Sequence, residues 1–166
     1  MTKTNGTYQW VSIPKTGTRT IMELLRPPEW KIVGDHKPYS KEDGGICVAA
    51  IRDPYDRLAS ALSFEGISTL DLMYHKIEYV DAGYGRFPTK HFYCPQAEFL
   101  GPDPKLFPYE RLGEMLKFLG HEGHVPKANR HQHRLTAEKL RKEARAFVEN
   151  RFAADFELRK DFICTL

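Results

Sequence analysis

A lysine, an arginine and three threonines lie within six residues near the start of the chain, in a spacing that indicates an anion-binding loop. The segment is residues 14–20, P-K-T-G-T-R-T. Such side chains beside a helix N-terminus can bind phosphate or sulfate, because free backbone N–H groups and the helix dipole both favour an anion. The order differs from the Walker sequence G-x-x-x-x-G-K-[ST], since Lys15 precedes Gly17. An ordinary strand–turn–helix with a surface lysine stays an alternative for this stretch alone.

A second cationic segment, residues 52–60 (R-D-P-Y-D-R-L-A-S), follows a continuous apolar run at 46–51. An apolar run of that length fits a strand buried on both faces, as in a parallel sheet covered by helices. Asp53 suits a helix N-cap and Pro54 the first helical position. Arg52 is therefore expected at the C-terminal edge of a central strand, where open α/β sheets bind ligands. Arg57, on the helix that follows, is expected to make a structural ion pair.

Alternating strands and helices must position these two segments. Strands are predicted at 8–13, 30–34, 46–51 and 105–109, and helices at 18–25, 54–62, 70–80, 112–119 and 136–162. This alternation predicts an α/β fold with a central sheet flanked by helices. The chain of 166 residues is expected to form a single domain, 1–166.

Composition places the chain in the ordinary globular class. The 25 Lys and Arg exceed the 22 Asp and Glu by 3, which suits an anionic ligand without predicting nucleic acid. No apolar run reaches bilayer length and no signal peptide opens the chain, so neither a membrane partner nor export is expected, and the location is predicted as cytoplasmic. Three separate cysteines predict neither disulfides nor zinc. Four histidines within 121–134 match no metal-ligand spacing, and a solvated loop is expected there.

Together, residues 14–18 and 52–60 resemble the sulfotransferase family, whose donor is 3′-phosphoadenosine 5′-phosphosulfate (PAPS). The first segment is similar to that family's 5′-phosphosulfate loop, and the second to its 3′-phosphate motif. Residues 91–96 (H-F-Y-C-P-Q) and 155–158 (D-F-E-L) resemble two segments of the carbohydrate sulfotransferases. The resemblance implies a P-loop-NTPase-like three-layer fold with a mainly parallel sheet, and a PAPS-dependent transferase acting on a hydroxyl of a carbohydrate.

The resemblance also implies the site residues. The donor would bind through Lys15, Thr16, Gly17, Thr18, Arg19 and Thr20 at the phosphosulfate, and through Arg52 and Ser60 at the ribose phosphate. Lys15 would stabilise the leaving oxygen, and adenosine 3′,5′-bisphosphate (PAP) would be the product. Because the lysine and arginines supply positive charge, no metal is expected.

A general base must accept the proton of the acceptor hydroxyl. His36 is the first choice, because an imidazole can accept a proton at neutral pH. A histidine that only hydrogen-bonds within its loop is the alternative, and His91 is a second candidate for the base. Asp35 is not expected to orient His36, because neighbouring side chains on a strand point to opposite faces.

The chain departs from the cytosolic sulfotransferases in two places. Arg19 and Thr20 replace the Thr-Trp that follows their loop, so the adenine contacts are not identified, and Arg19 either binds sulfate or faces solvent. Their R-x-G-x-x-G segment is absent, which favours the carbohydrate type. Two other functions stay open. One is a nucleotide kinase-like enzyme, although the Walker lysine that it predicts is absent. The other is a non-catalytic binding module for anionic glycan or nucleic acid that uses the basic run 127–145.

Overall fold

The computed structural model describes residues 1–84, 89–125 and 135–163 of the chain. Five strands are present in that part: β1 (Thr2–Thr4), β2 (Tyr8–Trp10), β3 (Lys31–Gly34), β4 (Ile46–Ile51) and β5 (Lys105–Pro108). Seven α-helices accompany them: α1 (Thr18–Leu24), α2 (Pro54–Phe64), α3 (Leu70–Asp81), α4 (Leu112–Phe118), α5 (Ala137–Glu143), α6 (Arg145–Arg151) and α7 (Ala153–Ile163). The α/β prediction is therefore confirmed at this level.

The strands form one mixed sheet in the order β3-β1-β2-β4-β5. Strands β2, β4 and β5 run parallel, whereas β1 pairs antiparallel with both β2 and β3. Strand β1 was not expected from the sequence, since its three residues, Thr2, Lys3 and Thr4, are polar. They are nevertheless buried, because β1 lies between two other strands.

Helices cover both faces of the sheet. Val48 and Ala50 on one face of β4 pack with helices α1 and α4. Cys47, Ala49 and Ile51 on the opposite face pack towards Phe99 and helix α7. The predicted burial of residues 46–51 on both faces is thus confirmed, except that Ile46 is exposed at the first position of the strand.

A third apolar cluster joins helices α2, α3, α5 and α6. Its fully buried members include Leu62, Met73, Leu140 and Val148. The single last helix expected over 136–162 is instead three helices, α5, α6 and α7, separated at Ala144 and Phe152. Because of these breaks, α5 and α6 face the third cluster with Leu140 and Val148, and α7 faces the sheet with Leu158. Of the helices in the described ranges, none combines the length and apolar character that a membrane crossing needs.

Candidate functional site

The loop between β2 and α1 holds Lys15 in an unusual conformation. Lys15 has φ 67° and Gly17 has φ 86°, both in the left-handed region. Glycine suits position 17 for two reasons: it adopts a positive φ without strain, and a Cβ there would lie 2.8 Å from Leu112 Cδ1. Lys15 has a Cβ, so its positive φ is strained, and such strain collects at functional sites. The Lys15 amine lies over the Phe64 ring, 4.4 Å from its centroid, and 5.9 Å from that of Phe92.

The backbone N–H groups of this loop lie at the start of α1, where a helix has donors without a partner in the preceding turn. Outside the helices and strands of the described ranges, no backbone hydrogen bond is donated by residues 15–20. The threonine hydroxyls are directed inwards instead: Thr16 Oγ1 donates to the Ile13 carbonyl at 2.8 Å, and Thr18 Oγ1 to the same carbonyl at 3.2 Å. An anion at this loop would therefore meet backbone N–H groups rather than hydroxyl protons.

Arg52 reaches the same loop from the end of β4. Its Nη1 donates to the Lys15 carbonyl at 3.2 Å, and its guanidinium lies 4.7 Å from the centroid of the Tyr109 ring. The structure thus brings together Lys15 and Arg52, which are 37 residues apart in sequence.

Three cations share this region without a compensating carboxylate in the described contacts. The pKa of Lys15 is lowered to about 8, first because the amine is partly buried and then because Arg52 and Arg19 are close. Arg19 itself is exposed on the first turn of α1. A site that holds excess positive charge in partial burial gains electrostatic stabilisation when an anion binds.

Two distant segments fix the backbone of Arg52. The Gln96 side chain accepts from the Arg52 N–H at 2.9 Å and donates to the Arg52 carbonyl at 2.8 Å. Asp155, fully buried on α7, accepts from Gln96 Nε2 at 3.2 Å and from the Ala97 N–H at 3.0 Å. The P-Q and D-F-E-L segments therefore contact each other and hold the end of β4.

His36 lies just beyond β3, against the end of β2. Its Nδ1 is 2.8 Å from the Ser12 carbonyl and 3.1 Å from Ser12 Oγ, which in turn donates to Thr18 Oγ1 at 3.1 Å. An Nδ1–H donated to the carbonyl leaves Nε2 as the basic atom. Partial burial lowers the pKa of His36, with the Ser12 carbonyl opposing the shift, so the ring is neutral at pH 7.

The side chains of Asp35 and His36 do not point to opposite faces, although 4.0 Å is too long for a hydrogen bond by which Asp35 would orient His36. His36 has φ 45°, so the chain has left the extended conformation, and Asp35 Oδ1 lies 4.0 Å from His36 Nε2. A carboxylate at that distance favours an imidazolium once it forms. His91, the second candidate base, bonds to the backbone of His36 and packs edge-on against Phe99. Partial burial lowers its pKa as well.

The expected ion pair of Arg57 is also replaced by a different role. Arg57 is 1% exposed and donates to the carbonyls of Pro14, Cys94 and His91 at 3.1, 2.9 and 3.1 Å. It therefore joins the Lys15 loop to the segment that carries His91 and Gln96. This is structural, as expected, but its partners are carbonyls, which a sequence pattern does not indicate.

The remaining predicted residues lie around this centre with fewer contacts. Ser60 is half-buried on α2, one turn before Phe64 and on the same face. Thr20 is buried on α1. Sequence reasoning assigned no role to Ser12, Phe64 or Tyr109. Only Ser12 had a usable signal, as a polar residue within an apolar strand.

Part of the basic run 127–145 lies outside the described residues, and so do His131 and His133. In the described part, Arg141 pairs with Asp53 at 2.8 Å and Arg145 with Glu149 at 2.9 Å. These pairs leave little free charge on α5 and α6 for a polyanion. Within the same ranges, no group of three His, Cys, Asp or Glu residues could hold a metal ion.

No family model, no curated protein and no solved structure matches the chain.

Proposed function

We propose that the chain is a sulfotransferase that moves a sulfuryl group from PAPS to an acceptor hydroxyl. The observation that carries the proposal is the meeting of Lys15 and Arg52 at one loop, with the Arg52 Nη1 to Lys15 oxygen distance of 3.2 Å. A donor with a phosphosulfate at one end and a 3′-phosphate at the other needs two cationic groups at neighbouring strand ends. Helices on both faces of a sheet whose strands β2, β4 and β5 are parallel support a P-loop-NTPase-like fold as part of this proposal. A cytoplasmic location stays a prediction.

The donor's phosphosulfate would lie on the loop. The backbone N–H groups of residues 15–20 and the Lys15 amine would bind its oxygens, while the exposed Arg19 adds positive charge. Arg52 would bind the 3′-phosphate, with Ser60 as a further donor from α2. The Gln96–Asp155 contact supports this role, because it fixes the backbone from which the Arg52 side chain extends.

The transfer itself would need positioning, one base and one cation. The acceptor oxygen forms a bond to sulfur while the bond from sulfur to the bridging oxygen breaks. The acceptor proton passes to His36 Nε2, and the electron pair leaves with the bridging oxygen of PAP. Lys15 stabilises the charge on that oxygen, and Asp35 stabilises the imidazolium.

Ligand-dependent melting tests the proposal. Adenosine 3′,5′-bisphosphate at about 100 times its Kd should stabilise the protein by about 2.7 kcal/mol. This is a rise in Tm of several degrees at this size. AMP and ATP should give clearly smaller shifts, because neither carries a 3′-phosphate for Arg52.

The matched variants are Arg52→Ala and Arg145→Ala. Arg52→Ala should remove the advantage of the bisphosphate over AMP. Arg145→Ala should leave that advantage unchanged, because Arg145 is exposed on α6 and pairs with Glu149. Equal shifts from all three nucleotides with the native chain would contradict the proposal.

A further inference from the structure

The ring of His36 lies between two groups that favour opposite positions of its proton. Asp35 Oδ1 lies 4.0 Å from Nε2, and its negative charge favours a proton on that nitrogen. The Ser12 carbonyl lies 2.8 Å from Nδ1 and can only accept, so it favours a proton on Nδ1. A neutral imidazole carries one ring proton, and only the form with that proton on Nδ1 leaves Nε2 free as a base. The groups around Nδ1 therefore decide whether Nε2 can accept a proton.

The Ser12 hydroxyl is the group beside Nδ1 that can favour either form. Its Oγ lies 3.1 Å from Nδ1, and Ser12 is fully buried at the end of β2. A hydroxyl is both a donor and an acceptor, so its effect depends on where its hydrogen points. A hydrogen directed at Nδ1 would require that nitrogen to be unprotonated, and the ring proton would then lie on Nε2.

Thr18 determines the direction of that hydrogen. The Ile13 carbonyl can only accept, so the Thr18 hydroxyl donates its one hydrogen to it, at 3.2 Å. Thr18 Oγ1 is then the acceptor for the Ser12 hydroxyl, which lies 3.1 Å away. With its hydrogen used there, Ser12 Oγ directs its lone pairs towards Nδ1 and towards the Met1 amine, which donates to it at 3.2 Å. Both oxygens of Ser12 that lie beside Nδ1 therefore accept, and the ring proton belongs on that nitrogen.

We propose that Thr18 is a positioning residue for the base: through the Ser12 hydroxyl it keeps the ring proton of His36 on Nδ1 and so leaves Nε2 free. The inference rests on the proposed function, since the position of this proton matters for turnover only if His36 is the base. Thr18 thus has a task besides its place in the loop that would bind the donor.

Nitrogen NMR of the isotope-labelled imidazole ring tests the proposal in the ligand-free chain, because protonated and unprotonated ring nitrogens differ in chemical shift. Spectra are recorded at about pH 8, above the ordinary pKa of histidine. The signals of His36 are those that His36→Asn removes. Thr18→Val keeps the shape of the side chain but lacks the hydroxyl, so it releases the Ser12 hydrogen towards Nδ1. The ratio of the Nε2-protonated to the Nδ1-protonated form should rise about fivefold, the change that one hydrogen bond produces.

Three control variants separate this hydroxyl chain from a general disturbance of the loop. Ser12→Ala added to Thr18→Val should restore the native ratio, because no hydroxyl hydrogen remains to reach Nδ1. Thr18→Ser retains the hydroxyl and should leave the ratio unchanged. Thr16→Val should also leave it unchanged, because Thr16 donates to the same Ile13 carbonyl at 2.8 Å but has no hydrogen bond to Ser12 among the described contacts. Thr18→Ala replaces Thr18→Val if valine prevents folding.

The outcomes distinguish this inference from the proposed function. A ratio that Thr18→Val does not change, that Thr16→Val changes equally, or that added Ser12→Ala does not restore would overturn the role of Thr18 and leave the donor site standing. A native chain whose melting does not respond to the bisphosphate would remove the proposed function, and the positioning role with it, whatever the ratio in the variants.

Discussion

At the scale of single residues, Lys15 combines three features that cost folding stability. Its φ of 67° is uncommon for a residue with a Cβ, its amine is partly buried, and Arg52 and Arg19 repel its charge. A bound anion would offset the buried charge and the repulsion, and the positive φ is the kind of strain that collects at functional sites. This is the pattern expected of a residue retained for function rather than for stability.

Lys15→Met should therefore raise stability while removing ligand binding. At pH 7 the buried charge is lost, and we expect the free energy of unfolding to rise by about 1 kcal/mol after solvent screening, or about 2–4 °C in Tm. The melting shift with the bisphosphate should disappear. Lys31→Met, at an exposed lysine of β3, should change neither. A less stable Lys15→Met that still binds the bisphosphate would contradict this view.

The pKa of Lys15, about 8, predicts a pH dependence of ligand binding. Below pH 8 the amine is charged and attracts the bisphosphate. Above it the amine becomes neutral, so affinity should fall, by at most about tenfold per pH unit. The phosphates are already ionised above pH 7 and do not contribute. Calorimetric titration between pH 7 and 9.5 measures the slope, which Lys15→Met should abolish.

The same pKa fixes the sign of the stability effect. The folded value lies below the unfolded value of 10.5, so between pH 8 and 10.5 the unfolded chain binds more protons at Lys15. The contribution of Lys15 to the free energy of unfolding therefore rises with pH in that window. The difference in stability between the native chain and Lys15→Met should shrink correspondingly.

His36→Asn should separate turnover from donor binding. Asparagine tolerates the positive φ of 45° at this position, so the fold should persist. Loss of the base should lower kcat by about 10²-fold or more, while the bisphosphate melting shift remains. His124→Asn, at an exposed histidine, is the control. Undiminished turnover in His36→Asn would exclude His36 as the base.

At the scale of elements, the site depends on segments that are far apart in the chain. The end of β4 is fixed by Gln96 and Asp155, and Arg57 on α2 joins the Lys15 loop to residues 91–94. Asp53 accepts from the Tyr55 and Asp56 N–H groups and begins α2 immediately after Arg52. Arg52 thus extends from a backbone that is held on both sides.

Gln96→Leu should destabilise the protein and weaken ligand binding together. The substitution leaves the N–H and C=O groups of Arg52 and one oxygen of Asp155 without partners, at a cost of about 1–3 kcal/mol. It also releases the backbone that positions the Arg52 side chain. Urea unfolding and bisphosphate titration measure the two effects.

Gln9→Leu is the matched control, because both amide atoms of Gln9 are buried without a partner among the described residues. Removing an unpartnered amide should leave stability unchanged or raise it. If the two variants are equally unstable, the hydrogen bonds of Gln96 are not responsible for the effect.

At the scale of the whole molecule, two apolar clusters lie on the two faces of the sheet and a third lies among helices. Both tryptophans, Trp10 and Trp30, belong to the cluster under α1 and α4, whereas α2, α3, α5 and α6 pack in another. The hydrogen bonds of Gln96 with Arg52, and those of Arg57 with the Pro14, Cys94 and His91 carbonyls, connect the segments that carry these clusters. We therefore expect the predicted single domain to unfold in one step.

Urea unfolding should give coincident transitions by tryptophan fluorescence and by far-UV circular dichroism. Val48→Ala, beside the tryptophans, and Val148→Ala, in the helical cluster, should each lower both midpoints together, by about 2 kcal/mol in stability. Midpoints that separate, or a variant that moves only one probe, would indicate two independently folding units.

The local elements followed largely from the sequence. The apolar run of β4, the Asp53–Pro54 start of α2, and the stripes of α3 and α4 each carry their own signal, because hydrophobic spacing and capping act within a few residues. Strand β1 had none, since Thr2, Lys3 and Thr4 are polar residues buried only by their neighbours. The breaks in the last helical region were missed because Ala144 and Phe152 are compatible with a helix.

The sequence by itself determined which groups are available: Lys15 and Arg52, each directly after a predicted strand, a helix start beside Lys15, and a histidine after β3. Only the tertiary structure decided how they act. The positive φ of His36 and the carbonyl partners of Arg57 depend on atoms that are close in space but distant along the chain. Local spacing cannot encode such contacts, because they exist only once the sheet has brought its strand ends to one edge.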